Sequence, residues 1–209
     1  MATARKLLKE RGFDGAGVVD ISREAGLTQG ALYGKFKSKD RLTAEALGEA
    51  LKEGAAFVEQ LREQTDDVIG AYLDAYVSPA HVKDVRSGCM MAACISEICR
   101  QNDAIGEVFA DGLRRLLQVI QRGFPEDMPV EVAHDRAIAL LSAMVGSVAI
   151  ARAVEGADPS LSQDVIAAAR KELEEAALRR FDVGGATAET AEAGPLPRTS
   201  ASRPAHRRA

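Results

Sequence analysis

Tryptophan is absent from this chain of 209 residues, and aromatic residues make up only 4% of it. Since aromatic side chains favour strands, their scarcity beside abundant alanine favours helices. The longest run without a charged residue, Ala137–Ala151, has 15 residues, fewer than the roughly 18 that a membrane span needs. No basic and apolar leader opens the sequence. The composition therefore predicts a soluble, cytoplasmic, mostly helical protein.

Cysteine is also scarce, with Cys89, Cys94 and Cys99 spaced five residues apart. An odd number of cysteines without a secretion signal argues against a disulfide framework. Three positions at this spacing point in different directions on a helix, which disfavours a shared metal site. We expect three small buried side chains, and a reactive thiol remains the open alternative.

Residues suited to enzymatic catalysis are few. The three histidines, His81, His134 and His206, lie far apart, and the sequence contains no HExxH, GxSxG, GxxxxGK[ST] or GxGxxG motif. We therefore expect no enzymatic activity, no metal ion and no cofactor.

Charge divides the chain into three regions. Residues 1–45 carry nine Lys/Arg and six Asp/Glu, whereas residues 46–183 carry 14 and 23. Residues 184–209 carry four and two, and they are rich in small residues and proline without periodicity. This pattern predicts an N-terminal domain over 1–45 that meets a polyanion, a helical domain over 46–183 and a disordered tail over 184–209.

Apolar residues recur at helical spacing along most of the chain, and no convincing strand pattern occurs. A first helix is expected before Gly12, and Ser78-Pro79 is expected to end a later one. The remaining predicted helices are Val18–Ala25, Thr28–Phe36, Lys39–Gln64, Asp66–Val77, Gly88–Arg100, Asn102–Arg122, Glu131–Val154 and Leu161–Phe181. The fold class is therefore all-α.

Two short helices joined at Ala25-Gly26-Leu27 follow the first helix, which is a tri-helical helix-turn-helix pattern. Gly26 permits the sharp turn, and Leu32 and Phe36 anchor the second helix to the core. The opposite face of this helix carries almost no side chain, because it presents Gly30, Ala31 and Gly34. Such a slim helix suits a DNA major groove about 12 Å wide.

The runs Gly12–Gly15, Asp20–Thr28 and Gly30–Leu42, with their AGL-T, LYxxF and SKDRL patterns, resemble the DNA-binding domain of the tetracycline-repressor (TetR) family. The resemblance covers about Leu7–Leu47, with a fainter likeness from Gly88 to Leu117. It implies a dimeric bacterial transcription factor, a repressor that leaves DNA when a small molecule binds its larger C-terminal helical domain. It also implies that the DNA-binding residues are Thr28, Gln29, Gly30, Ala31, Tyr33, Gly34, Lys35 and Lys39, with Tyr33 and Lys39 on phosphates.

Three departures from the family pattern have physical consequences. We expect a first helix that is shorter than the family pattern by a turn or two, and Ala16-Gly17 replaces the hydroxyl residue that commonly caps the second helix. Lys35 stands where many members have His or Tyr, which adds phosphate affinity without base discrimination.

On the helix face that presents Gly30, Ala31 and Gly34, only Gln29 can form paired hydrogen bonds with a base, favouring adenine, while Ala31 suits a thymine methyl. We therefore expect DNA shape and phosphate geometry to supply much of the specificity.

One such motif makes few contacts, so two copies on a palindrome are expected. The apolar helices Glu131–Val154 and Leu161–Phe181 are predicted to form an intersubunit four-helix bundle, although they would also suit a monomer core. The small residues that would allow close approach of the second subunit are Gly146, Ser147, Ala149 and Ala151.

The resemblance implies an effector pocket surrounded by helices of the larger domain, and Met, Cys and aromatic residues on those helices suit an apolar cavity, although each also suits ordinary core: Phe57, Tyr72, Tyr76, Met91, Cys94, Phe109 and Met144. The resemblance implies that the Lys39–Gln64 helix links this pocket to DNA. Two alternatives remain open from the sequence. One is a repressor that senses thiol-reactive compounds, and the other is a helical ligand-binding protein without working DNA binding.

Overall fold

The computed structural model describes residues 1–178, which form ten helices and no strand. The predicted all-α fold is thereby confirmed, whereas the predicted tail at 184–209 and the predicted helix end at Phe181 lie outside the described residues. The helices are α1 (Ala2–Gly15), α2 (Val18–Glu24), α3 (Gln29–Phe36), α4 (Lys39–Gln64), α5 (Val68–Tyr76), α6 (Pro79–Lys83), α7 (Met90–Ile98), α8 (Asp103–Gln121), α9 (Val130–Glu155) and α10 (Pro159–Leu178).

Helices α1 to α3 and the start of α4 enclose one apolar core. Its buried side chains include Leu7, Leu8, Phe13, Ile21, Leu32, Phe36, Leu42 and Leu47. Gly12, with φ of +75°, breaks α1 before its last turn, and Gly26, with φ of +66°, forms the turn between α2 and α3. Both are backbone conformations that glycine adopts without steric cost. The helix-turn-helix geometry therefore follows from these residues.

The starts of α3 and α4 are fixed by side-chain caps. Thr28 Oγ1 accepts a hydrogen bond from the Ala31 N–H at 3.1 Å, and Ser38 Oγ accepts one from the Arg41 N–H at 3.1 Å. Each satisfies a backbone donor that the helix itself cannot pair. By contrast, α2 begins at Gly17 without a side-chain cap, as the Ala16-Gly17 pair predicts.

Helix α6 was not predicted. The sequence indicates a break at Ser78-Pro79, but Ser78 Oγ accepts from the His81 N–H at 3.2 Å and Pro79 opens a new helix. Proline suits a first helical turn because its missing N–H would be unpaired there. The C-terminal carbonyls of α6 are bound by Arg152 of α9, whose Nη2 donates to His81 O at 2.8 Å and whose Nε donates to Val82 O at 3.2 Å.

The larger C-terminal part of the chain packs mainly as α4 against α8 and α9 against α10. By length and composition α9 could cross a membrane, a test that the core helix of a soluble protein also passes. Within this chain α9 buries one face, while Ile138 and Ile150 on the other face stay exposed. Ala151 is fully buried inside the chain, so its predicted place on an intersubunit surface is wrong. Gly146, Ser147 and Ala149 are partly exposed.

Candidate nucleic-acid interface and ligand cavity

The outer face of α3 is the most open part of the helix-turn-helix. Leu32 and Phe36 are buried, whereas every predicted DNA contact on α3 is exposed, including Tyr33 at 45%. The exposed set is Gln29, Gly30, Ala31, Tyr33, Gly34 and Lys35. The α3 residues predicted to read DNA therefore share one solvent-facing surface, which we call the reading face.

Two glycines on the reading face are not required by the packing of the chain. A Cβ atom at Gly34 would meet nothing within 4 Å, and one at Gly30 would only approach Thr28 Oγ1, at 4.0 Å. Glycine costs a helix about 0.8–1.0 kcal/mol relative to alanine. The chain thus carries a destabilising residue where its own fold offers room for a side chain. Close approach of another molecule to the helix backbone would explain it.

Positive charge surrounds the end of α3 and the start of α4. Lys35, Lys37 and Arg41 are exposed, and Lys39 is partly buried with its Nζ 3.5 Å from Asp14 O. The one acidic side chain in this segment, Asp40, accepts a hydrogen bond from Asn102 Nδ2 at 2.8 Å. The cations next to the reading face are therefore available to bind phosphates.

A cavity of about 440 Å³ opens between α1, α4, α5, α6 and the N-terminus of α7. Four of the seven predicted ligand residues line it, namely Phe57, Tyr72, Tyr76 and Met91. Among the residues that the structure describes, the other three lie elsewhere: Cys94 and Met144 are fully buried in the core, and Phe109 packs against that core. Helical spacing identifies apolar faces, but it does not separate core from cavity wall.

Aromatic rings form a row along the cavity. The ring centroids of Phe57 and Tyr72 are 6.3 Å apart, those of Tyr72 and Tyr76 are 5.7 Å apart, and those of Tyr76 and His81 are 4.5 Å apart. Phe57 is 39% exposed, whereas the two tyrosines are buried. This row gives the cavity an apolar wall typical of small-molecule sites.

The sequence did not predict the polar end of the cavity, which is built by α1, α6 and the residues before α7. His81 Nε2 accepts from the Cys89 N–H at 2.9 Å, and His81 Nδ1 lies 2.7 Å from Tyr76 O. Because an N–H donates to Nε2, the proton of a neutral ring is on Nδ1 and is donated to Tyr76 O. Burial lowers the pKa of His81, which favours this neutral form. Lys9 of α1 donates from Nζ to Gly88 O at 2.9 Å.

The three cysteines have different surroundings, which corrects the expectation that all are buried. Cys89, the N-cap of α7, is partly buried and lines the cavity, and Cys99 after the helix end is exposed. Cys94 donates from Sγ to Leu8 O at 3.3 Å, and burial raises the pKa of its thiol to about 12. Since the thiolate is the reactive form, Cys94 is inert and Cys89 is the thiol within reach of a cavity ligand.

The helix-turn-helix is bound to α7 by a carboxylate. Glu97 Oε2 accepts from the Phe13 N–H at 2.8 Å, at the kink in α1, and a Cβ atom on Gly12 would lie 2.5 Å from Glu97 Oε1. Arg86 adds an ion pair to Glu24 and one to Glu10 at 3.5 Å. The segment that closes the cavity therefore also contacts the helices that position α3. Within residues 1–178, no group of three His, Cys, Asp or Glu side chains is arranged to bind a metal ion.

Comparison with known proteins supports this geometry. Residues 1–46 match the sequence model of the bacterial regulatory proteins of the tetR family. An HTH-type transcriptional regulator of Mycobacterium tuberculosis H37Rv is 26% identical over 161 residues, 73% of this chain and 81% of the relative. The repressor NemR of Escherichia coli K12 is 27% identical over 131 residues, 58% of this chain and 63% of NemR. A TetR regulator structure from Legionella pneumophila is similar with a TM-score of 0.71 at 14% identity, over 84% of this chain and 94% of that one, and shows the fold.

Proposed function

Because the chain belongs to the TetR family of bacterial regulatory proteins, we propose that it represses transcription as a cytoplasmic homodimer on an inverted-repeat operator and is released by a small molecule. The observation that carries this proposal is the reading face of α3. It is exposed, it presents two glycines that the fold does not need, and lysines flank it. An α-helix with such a surface fits the major groove.

Within each half-site, Gln29 is the residue that discriminates bases. Its amide can donate to and accept from adenine, and Ala31 contacts a thymine methyl. Tyr33 and Lys39 bind phosphates, and the Thr28 hydroxyl retains an O–H to donate because it uses only its oxygen as a cap. Specificity then comes from one paired base contact per half-site together with DNA shape.

Selection of bound duplexes from a random pool tests the operator. We expect an inverted repeat whose half-site centres lie about 34–36 Å, one turn, or a multiple apart. Gln29→Ala should lose preference at one base position in each half-site, whereas Gln60→Ala, at an exposed α4 position, should keep the wild-type profile. A pool that yields no enriched repeat at low salt contradicts DNA recognition and favours a ligand-binding protein without an operator.

The exposed faces of α9 and α10 support the dimer. Ile150 is 57% exposed and Leu161 is 46% exposed, although α9 is the most apolar long helix of the described chain. Exposed apolar helix faces of this kind are covered when a second subunit packs on them. Ile150→Glu should therefore give a monomer in analytical ultracentrifugation and abolish operator binding. Ile95→Glu is the matched control, since Ile95 is 44% exposed on α7, and it should stay dimeric.

Release follows from the position of the cavity. Its wall includes Arg5 and Lys9 of α1 and Leu51 of α4, so both helices connect it to the helix-turn-helix. A ligand that favours one placement of these helices changes the separation of the two reading faces. It must then bind the DNA-bound and released forms with different affinities.

A thiol-sensing repressor is the second candidate, favoured by the place of Cys89 in the cavity wall. In that case alkylation of Cys89 releases DNA, and oxidative release is reversed by a reductant. Cys89→Ser should then abolish the response to N-ethylmaleimide. Cys99→Ser should leave it unchanged, because Cys99 lies outside the cavity lining. Equal sensitivity of both variants contradicts this mechanism.

A further inference from the structure

The polar end of the cavity contains two cations that form no direct ion pair with a carboxylate of the described residues, although Asp84 lies close enough to interact with both electrostatically. Lys9 lines the cavity, and within residues 1–178 its Nζ has the Gly88 carbonyl as partner and no carboxylate at ion-pair distance. Arg152 is bound by the carbonyls of α6, and its Nη1 is buried without a hydrogen-bond partner among the described residues. Burial lowers the pKa of both side chains, which shows the cost of holding these charges away from water.

These cations lie next to each other around Gly88. A Cβ atom placed on Gly88 would be 2.6 Å from Arg152 Nη2 and 2.8 Å from His81 Cδ2, and Lys9 Nζ contacts the carbonyl of the same residue. Asp84 is the nearby acid, and its Oδ1 already accepts from the Ser87 N–H at 2.9 Å. Glu53 at the other side of the cavity pairs with Arg5. Lys9 and Arg152 carry two positive charges against the one negative charge of Asp84, so the end near Gly88 keeps an excess of positive charge.

A hydroxyl without a nitrogen or oxygen partner lies at the same end. Tyr76 is 8% exposed, and its Oη is buried with no such partner in the part of the chain that the structure describes. The Cys89 thiol is its neighbour, and burial raises the pKa of Tyr76 well above its usual value, so the group is a neutral O–H donor. A buried hydroxyl with so weak a partner is destabilising, and a ligand oxygen would satisfy it better.

We propose, on the basis of the regulatory function above, that the effector is an amphipathic carboxylate whose charged head binds Lys9 and whose apolar body lies along the rings of Phe57, Tyr72 and Tyr76. The carboxylate accepts from Lys9 Nζ and, after a small movement of the ring, from the Tyr76 hydroxyl. Arg152, directly behind Gly88, adds long-range attraction. Each charge-assisted hydrogen bond is shorter and stronger than a neutral one.

The same head group gives release a physical route. Lys9 belongs to α1, and its bond to Gly88 O connects α1 to the segment before α7. The ammonium group has N–H donors to spare, but a carboxylate that draws Nζ further into the cavity lengthens its bond to that carbonyl. Effector binding then weakens one contact between the helix-turn-helix and the C-terminal part of the chain.

Calorimetric titration of the full chain without DNA tests the head group with two carboxylates, decanoate and 1-naphthoate, against decan-1-ol and 1-naphthalenemethanol. We expect at least one carboxylate to bind at least tenfold more tightly than its alcohol. Lys9→Met should remove that preference, whereas Lys6→Met, at an exposed position of the same helix, should keep it. Equal affinity for each acid and its alcohol, or no binding of either acid, overturns the proposal.

Tyr76→Phe gives a second readout that a purely structural role would not produce. Loss of the hydroxyl should not lower the melting temperature of the free chain, because its neighbour there is only a thiol, while the affinity for the bound carboxylate falls about threefold to tenfold. A variant with unchanged carboxylate affinity overturns the role of the hydroxyl. Operator binding by these variants is measured separately, so a chain that binds DNA but prefers no carboxylate refutes the head group alone.

Discussion

Gly34→Ala separates the stability of the helix-turn-helix from its recognition of DNA. An added Cβ atom meets nothing within 4 Å, so no clash opposes the gain in helix propensity. Alanine is better than glycine in a helix interior by about 0.8–1.0 kcal/mol. Because α3 has only eight residues, we expect about 0.5–1 kcal/mol of added stability. In a domain of this size that corresponds to about 1–4 °C in melting temperature.

The same methyl group should weaken DNA binding. If the reading face packs closely against base edges, an inserted methyl costs about 1–3 kcal/mol at each interface, and a dimer has two. Operator affinity should therefore fall at least about tenfold. Thermal unfolding and fluorescence anisotropy on the selected operator measure the two effects in one preparation.

Gly106→Ala in α8 is the matched control. Its Cβ atom also meets nothing within 4 Å, and α8 lies apart from the reading face, so it should gain stability without losing DNA affinity. If both variants are stabilised and both bind the operator like the wild type, the bare surface of α3 does not exist for close approach, and the reasoning from its glycines is refuted.

Three further predictions concern residues that the sequence did not single out. Lys37 has φ of +66°, so Lys37→Gly should raise the free energy of unfolding by about 0.5–1 kcal/mol in denaturant titrations, with no such gain for Lys37→Ala. Glu97→Gln should weaken the hydrogen bond to the kink in α1 and speed amide exchange there, whereas the exposed Glu107→Gln should not. If both variants exchange at the same rate as each other, Glu97 does not stabilise the kink. Because burial lowers the folded-state pKa of His81, the unfolded chain takes up the proton first, so stability should decline as pH falls below about 6.5 towards that lower pKa. A thermal-unfolding profile that stays flat between pH 8 and 5, and matches that of His81→Asn, contradicts this.

Local chemistry explains which parts of the fold could be predicted. Thr28 and Ser38 cap helices because their hydroxyls reach N–H groups only three residues later. Gly26 forms a turn because its own backbone adopts a positive φ without strain. The effect of Ser78-Pro79 is equally local, but this pair is compatible both with the end of one helix and with the start of the next. Because only the helix end was predicted there, α6 was not.

The cavity shows where sequence reasoning stops. Its aromatic residues Phe57, Tyr72 and Tyr76 were predicted because aromatic side chains suit an apolar cavity and because the family resemblance places their helices around a pocket. Its polar end depends on Lys9 reaching the carbonyl of Gly88 and on Arg152 reaching α6, contacts between residues separated by 70 or more positions. A single sequence contains no signal for such pairs. Cys94 and Met144 were assigned to the cavity because core and cavity-lining residues share the same apolar composition.

Helix α6 is too short to be stable alone. The guanidinium of Arg152, a residue of α9, stabilises its C-terminal end by donating to the His81 carbonyl. One side of the cavity therefore takes its shape from α9, the helix proposed to contact a second subunit. If two subunits pack through α9, a shift of that helix should reach the cavity wall through Arg152.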